Sequence, residues 1–400
     1  MKTFARILAV ALPVLMVAGC GQKQVVWQKT IDAGGDEVAT ALATDGTSYY
    51  VSYMATKPGE ADRAGWFVTK LDKDGQERWT RMYKDSPYAA CEDIWADNQG
   101  HLFATGRAKS QGKQICLVIR YAADGGITWQ KGLAVGDKTW GMGICPVSGD
   151  RIAVCGTAGT EANTDHMIAL LDAKDGRTVW VKNIDLGSND LAVRIAADAK
   201  DNLAIVGHRG DTGANSDIIV VKLKPNGDTL WTRTYDSGGD DQPGDIAFDP
   251  FGNILVTGTA TVGDSVRCVI LEYDADGGSI RKAAYGQQAQ ATGNGIFVTK
   301  GADIFITGSL IGRKLGKSGQ AALSDRDRRG QPTSEIIAFQ YKPSAVSVWE
   351  RQYSPGPNAG GVDLVVNGDV FVVATVKDKT NDVLVCRFSL PVAPGKPAGK

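Results

Sequence analysis

Residues 245–258 read Asp-Ile-Ala-Phe-Asp-Pro-Phe-Gly-Asn-Ile-Leu-Val-Thr-Gly. Asp245 to Asp249 holds the short apolar run Ile-Ala-Phe between two acids, Pro250 to Asn253 has turn chemistry, and Ile254 to Gly258 is a β-rich apolar run. Strand, tight turn, strand is the reading. Cys268 to Tyr273 adds a third strand, and Asp274-Ala-Asp-Gly-Gly278 turns the chain into a fourth.

The same unit recurs along the chain. Trp27, Trp79, Trp129, Trp180 and Trp231 fall 52, 50, 51 and 51 residues apart; Arg281 takes the next slot, 50 on, and Trp349 follows after 68. A second marker keeps the beat in Thr105-Gly106, Cys155-Gly156, Val206-Gly207, Thr257-Gly258 and Thr307-Gly308, with Thr375 ending the series. Periods of this length signal repeat architectures. Four short antiparallel strands per unit, in seven units, predict an all-β, seven-bladed β-propeller. The last unit lacks a Trp-bearing strand, and the chain starts with an unpaired one, Val25 to Ile31. The N-terminal strand is therefore expected to complete the last blade, which removes an exposed edge.

Composition fits. Of 400 residues, 43% are apolar and 22% charged, so a large core is affordable, and a net charge of −1 excludes a polybasic nucleic-acid binder. The 49 glycines match a chain full of tight turns.

The ends are not propeller. Residues 1–19 carry a charged start and the apolar run Ile7 to Val17, too short to span a bilayer, and read as an export signal. Val17-Ala-Gly-Cys20 resembles the lipobox of bacterial lipoproteins. That resemblance implies lipidation of Cys20, with residues 20–24 as anchor and linker, and Gly21 implies an outer membrane facing the periplasm where the organism has one. Loss of Lys2 and Arg6 leaves 42 basic and 45 acidic residues. One propeller domain is expected over 25–390, with a Pro/Gly/Lys tail at 391–400.

The consensus I-A-x-D-x-x-G-N-x-x-V-T-G followed by V-x-K-L-D-x-D-G-x-x-W resembles bacterial seven-bladed propeller repeats of exported proteins. Its L-D-x-D-G-x-x-W end is also similar, more weakly, to quinoprotein-type repeats. Individual units depart from it, as where Arg281 replaces Trp and Tyr53 the strand-two Gly.

Loop lengths distinguish two faces. Strand-one-to-two and three-to-four turns are tight, as in Asp97 to Gly100 and Asp72 to Gly75; the other connections, such as Thr157 to Asp165 and Asp236 to Gly244, are longer. Antiparallel order puts all long loops on one face, and long loops on a rigid scaffold carry binding residues. Trp66, Tyr88, Trp140, His166, His208 and Arg209 are candidates there. So are Arg313, Lys314, Arg328 and Arg329, in an insertion over 310–332 that makes its unit about 17 residues longer than its peers. The short-turn face, where Val25 begins an outer strand a few residues after Cys20, is expected to lie near the membrane.

Asp93, Arg194, Asp245 and Asp363 occupy equivalent first-strand positions and are the channel candidates. Asp236, Asp240, Asp241 and Asp245 form an acidic, glycine-rich stretch that admits calcium, although EF-hand spacing is absent. No other cofactor is expected. The three histidines lack metal-ligand spacing, and no nucleophile signature is present. Cys145 and Cys155 are the pair that falls on adjacent strands of one hairpin, where an oxidising compartment would permit a disulfide, and most of the six cysteines read as small buried hydrophobes. The expectation is a monomeric, non-catalytic scaffold, held to the membrane by its lipid and binding a protein partner but no nucleic acid. The alternative is a carbohydrate-, quinone- or metal-dependent site at the channel mouth.

Overall fold

The structure is a computed structural model that describes residues 25–56, 64–86, 88–160, 163–187, 189–210, 215–286, 290–315, 321–323, 333–342, 345–377 and 380–391. Among these, every regular element is a strand.

β1 (Trp27–Ile31) precedes a four-stranded antiparallel sheet of β2 (Asp36–Thr44), β3 (Ser48–Thr56), β4 (Ala64–Asp72) and β5 (Glu77–Tyr83). The pattern repeats in β6 (Ala89–Ala96), β7 (Leu102–Ser110), β8 (Lys113–Tyr121) and β9 (Ile127–Leu133), then in β10 (Lys138–Val147), β11 (Arg151–Gly159), β12 (Thr164–Asp172) and β13 (Thr178–Ile184). It continues through β14 (Asp190–Ala197), β15 (Leu203–Arg209), β16 (Asp217–Leu223) and β17 (Thr229–Tyr235), and through β18 (Asp241–Phe248), β19 (Ile254–Val262), β20 (Ser265–Tyr273) and β21 (Ser279–Tyr285).

The next set is interrupted. β22 (Gln290–Ala291) and β23 (Gly295–Val298) both pair with β24 (Ile304–Ile311), and a small hairpin of β25 (Arg313–Leu315) and β26 (Ala321–Leu323) precedes β27 (Ser334–Lys342) and β28 (Ala345–Tyr353). β29 (Asn358–Asn367), β30 (Asp369–Lys377) and β31 (Asn381–Phe388) come last, and their fourth strand is β1, antiparallel to β31 from Trp27↔Arg387 to Ile31↔Val383.

Buried apolar clusters lie between sets. Tyr50, Val68 and Trp79 pack with Ile94, Leu102 and Ile119, while Tyr49, Val51 and Leu71 pack with Phe371, Val373 and Val385. The last strands of the chain therefore share a core with the first sheet, and the Tyr49 and Phe371 rings stack at 3.9 Å. Alternation in the inner strands explains this, because both faces of each sheet meet a neighbouring sheet.

The repeat motif has a physical origin at these seams. Five three-to-four turns place a glycine at positive φ, where L side chains are strained. At Gly75, Gly125, Gly176, Gly227 and Gly277 an added Cβ would touch Trp27, Trp79, Trp129, Trp180 and Trp231 of the preceding set, between 2.7 and 3.1 Å. The indole N–H of Trp27, Trp79, Trp129 and Trp231 also donates to a carbonyl of the same turn, at Lys73, Ala123, Ala173 and Ala275. The basic residue two positions on completes the joint: Arg81 donates to Asp124 O and Arg233 to Gly277 O, each guanidinium over its own Trp. The W-x-[KR] end of one unit and the D-x-D-G turn of the next are thus two halves of one contact.

Candidate functional site

The inner strands share one irregularity. β2, β6, β10, β14, β18 and β29 each carry a bulge, at Ala39/Ala41, Cys91/Asp93, Gly141/Gly143, Ala192/Arg194, Pro243/Asp245 and Gly361/Asp363. A bulge re-aims the following side chain. Asp93, Arg194, Asp245 and Asp363 all follow one, and the structure brings the four together at the inner edge.

Each carboxylate is held the same way. Asp93 accepts from its neighbour Ile94 N and from Ile144 N of the next set, both at 2.9 Å. Asp245 accepts from Ile246 N and Ile296 N, and Asp363 from Leu364 N and Leu42 N. Arg194 donates to Met142 O and Val193 O, and reaches Thr40 O of the β2 strand at 3.4 Å. Asp93 is buried, and the other three are partly exposed.

The charges respond accordingly. Burial pushes Asp93 up to about 6, with Arg194 and the Ile144 amide pulling the other way and Asp245 adding to the rise. Asp363 is pushed up to about 7 by burial and then by Asp245. Asp245 is also raised, chiefly by burial. Burial alone would lower the Arg194 guanidinium, but Asp93, Asp245, Asp363 and Glu92 together hold it above its usual value. Glu92 pairs with Arg107 at 2.9 Å beside this group.

The long-loop face has a different character. Tyr88 and Trp140 are half-buried, with Lys109 over Tyr88 at 5.7 Å and Arg107 over Trp140 at 5.9 Å. Arg209 lies 3.8 Å from Asp217. Trp66 and His166 are fully buried and His208 is 6% exposed, which places these three candidates beneath the face rather than on it. Burial, then His208, lowers His166 to about 4, so it stays neutral. Arg313 and Lys314 lie in β25; Arg328, Arg329 and the lipidation candidate Cys20 lie outside the described residues, as do 1–24 and 392–400.

Two members of the acidic stretch around residue 240, Asp236 and Asp241, meet, and Asp217 joins them, with ligand atoms within 4.8 Å of one another. Asp240 binds Ser216 Oγ, and Asp245 lies four residues further down the strand, in the axial group. Asp241 receives both the N–H and the hydroxyl of Ser237. A second group, Asp32, Glu37 and Asp382, meets within the same distance at another seam. Sequence reasoning missed it, because Asp382 lies some 350 positions from Asp32 and Glu37.

Cys145 and Cys155 are not bonded: the register sets Cys155 opposite Gly143 and Cys145 opposite Ala153. All six cysteines from Cys91 to Cys386 are free and buried, and burial raises every thiol. A groove of about 610 Å³, unanticipated from sequence, opens on the short-turn face between Lys200, Leu230, Phe251, Asp276 and Lys300.

Residues 232–264 match the beta-propeller repeat family SBBP. No curated protein matches. Among solved structures, a polysaccharide lyase of family PL25, an ulvan lyase, is similar at 10% identity and a TM-score of 0.58, over 90% of this chain and 96% of the lyase. Sqt1 from Chaetomium thermophilum is similar at 13% identity and 0.51, over 92% and 98% of the two chains. Quinohemoprotein alcohol dehydrogenase from Comamonas testosteroni follows at 12% and 0.50, over 93% and 77%. At such identities the likeness is one of fold, and the chain is a β-propeller repeat protein.

Proposed function

We propose that the chain forms a closed, seven-bladed propeller, lipid-anchored through Cys20 in the cell envelope, that acts as a non-catalytic scaffold and receives a protein partner on its long-loop face. Closure is supported by the β1–β31 pairing and by the core shared between the last strands and the first sheet. The observation that carries the scaffold reading is at the inner edge. Both oxygens of Asp93, Asp245 and Asp363 accept backbone N–H groups, so the carboxylates join neighbouring sets.

The long-loop face supplies half-buried aromatic and basic side chains, Tyr88, Trp140 and Arg209, amid many carboxylates. Such mixed surfaces anchor protein partners. Peptide recognition has a precedent in this fold, since Sqt1 has been solved bound to the N-terminus of the ribosomal protein L10. A second reading, a ligand or enzymatic site at the channel mouth, draws on Asp93 and Asp363, whose near-neutral titration is a property active sites share.

Crosslinking and affinity purification from native membranes tests the first reading, comparing wild type with a 310–332 deletion. A discrete partner captured by wild type is the expected result. Capture of none, together with a glycan or cofactor bound in solution, sinks the scaffold. Cys20→Ser should release the protein from membranes, and retention of that variant would refute the anchor.

A further inference from the structure

We propose that Asp32, Glu37 and Asp382 form a binding site for a divalent cation of the calcium class, placed to fasten the seam between the two ends of the chain. Asp32 follows β1, Asp382 lies in β31 and Glu37 in β2, so the three carboxylates come from the N-terminal strand, the C-terminal strand and the sheet that follows them. One oxygen from each lies within 4.8 Å of the others. Calcium–oxygen bonds run about 2.3–2.6 Å, so ligands on opposite sides of the ion stand roughly 4.8 Å apart; magnesium, at about 2.0–2.1 Å, needs a tighter set. An all-carboxylate donor set without Cys or His selects a hard cation.

The second observation is an orphaned atom. Glu37 has no exposed surface, and its Oε1 accepts from Ala33 N at 3.2 Å and Gly35 N at 2.8 Å. Its Oε2 is buried without a hydrogen-bond partner. A buried carboxylate oxygen left unpaired is costly, and costlier beside two further acids. Burial raises Glu37 above the usual carboxylate range, and Asp32 and Asp382 add to the rise against the pull of the Gly35 and Ala33 amides.

The corresponding position of another seam shows how protein groups can serve instead. In the Asp217, Asp236 and Asp241 group, both oxygens of Asp241 are bound by Ser237, and Arg209 stands 3.8 Å from Asp217. Glu37 has neither a serine hydroxyl nor an arginine. At the position that follows β1, where the chain holds its own ends together, Glu37 Oε2 is left without such a group.

Equilibrium dialysis with calcium, and urea unfolding with and without it, test the site in the full chain and in Glu37→Gln. Gln keeps the Oε1 acceptor and removes the charge. Wild type should bind one calcium more than the variant, or bind it at least tenfold more tightly, and its unfolding midpoint should rise with calcium while that of the variant does not. Without calcium, Glu37→Gln should be no less stable than wild type, because like charges have been separated. If Glu37→Gln fails to fold, Asp32→Asn, an exposed position whose carboxylate holds Gly34 N, gives the same readout. Equal stoichiometry and affinity in wild type and variant, or no calcium bound by wild type at millimolar concentration, overturns the proposal.

Discussion

Alanine at Gly75 should destabilise the protein far more than alanine at Gly46, although both glycines have similar backbone conformations. Gly75 has φ +78 and Gly46 φ +89, so the strain of placing an L residue there is common to both. That strain is about 1–2 kcal/mol, and the reduced freedom of the unfolded chain offsets about 0.4–1 kcal/mol of it. Gly46 faces open space, so its net cost is about 1 kcal/mol. At Gly75 the new methyl would sit 3.0 Å from Cε3 and Cζ3 of Trp27, tighter than ordinary contact. The ring must move, which strains the Trp27 Nε1 bond to Lys73 O and loosens β1 on β31. Overpacking of this kind adds about 1–3 kcal/mol, for a total of about 2–4 kcal/mol. Urea unfolding of the two variants measures the difference, and a double-mutant cycle with Trp27→Ala isolates its source. With the ring gone, Gly75→Ala should cost no more than Gly46→Ala. If its cost is unchanged in the Trp27→Ala background, Trp27 does not sit on that turn and the seam between the ends of the chain is wrongly drawn.

Two further outcomes follow from the buried titratable groups. The folded pKa of Asp363, about 7, exceeds its unfolded value near 3.8, so the native state keeps a proton that the unfolded chain releases. The stability this contributes is complete below about pH 4 and is lost as pH rises through 7; Asp93, at about 6, acts in the same direction. Asp363→Asn cannot titrate, and discounting for partial exposure and for coupling to Asp245, it should remove about 1–3 kcal/mol of the stability difference between pH 5 and 8. Identical urea midpoint slopes for wild type and variant would refute this. Independently, a thiol reagent should label none of the six described cysteines in native Cys20→Ser protein and all six in urea, whereas fast labelling of the folded state would contradict their burial.

The repeat was legible because its two halves are chemically distinctive. Trp and the Gly of the D-x-D-G turn depend on each other across every seam they share, so both recur in phase, and the 50-residue beat reports a contact between sets as much as the fold of each. The axial group was legible for a related reason. A bulge at a fixed place in the inner strands makes Asp93, Arg194, Asp245 and Asp363 equivalent by counting alone. What counting could not supply was their partners, which are backbone amides of the next set and carry no sequence signal.

Local grouping in sequence was half right at the acidic stretch, where Asp236 and Asp241 meet while Asp240 and Asp245 do not join them. Residues 236–245 look like one cluster, yet a strand advances about 3.3 Å per residue and alternates its faces. Asp241 therefore stays at the long-loop end, Asp240 turns away to Ser216, and Asp245 is carried roughly 13 Å to the inner edge. The converse holds for Asp32, Glu37 and Asp382, which have no shared motif and meet only because β1 pairs with β31. A propeller repeat makes positions within a unit predictable, but its ligand-capable clusters form between units. There the partners of a residue are set by the register of neighbouring strands, and at the seam of the chain ends by residues some 350 positions away. Equivalent positions inherit geometry from the repeat but not chemistry: one seam sets Arg209 and Ser237 beside its acids, and another leaves Glu37 Oε2 buried without a hydrogen-bond partner.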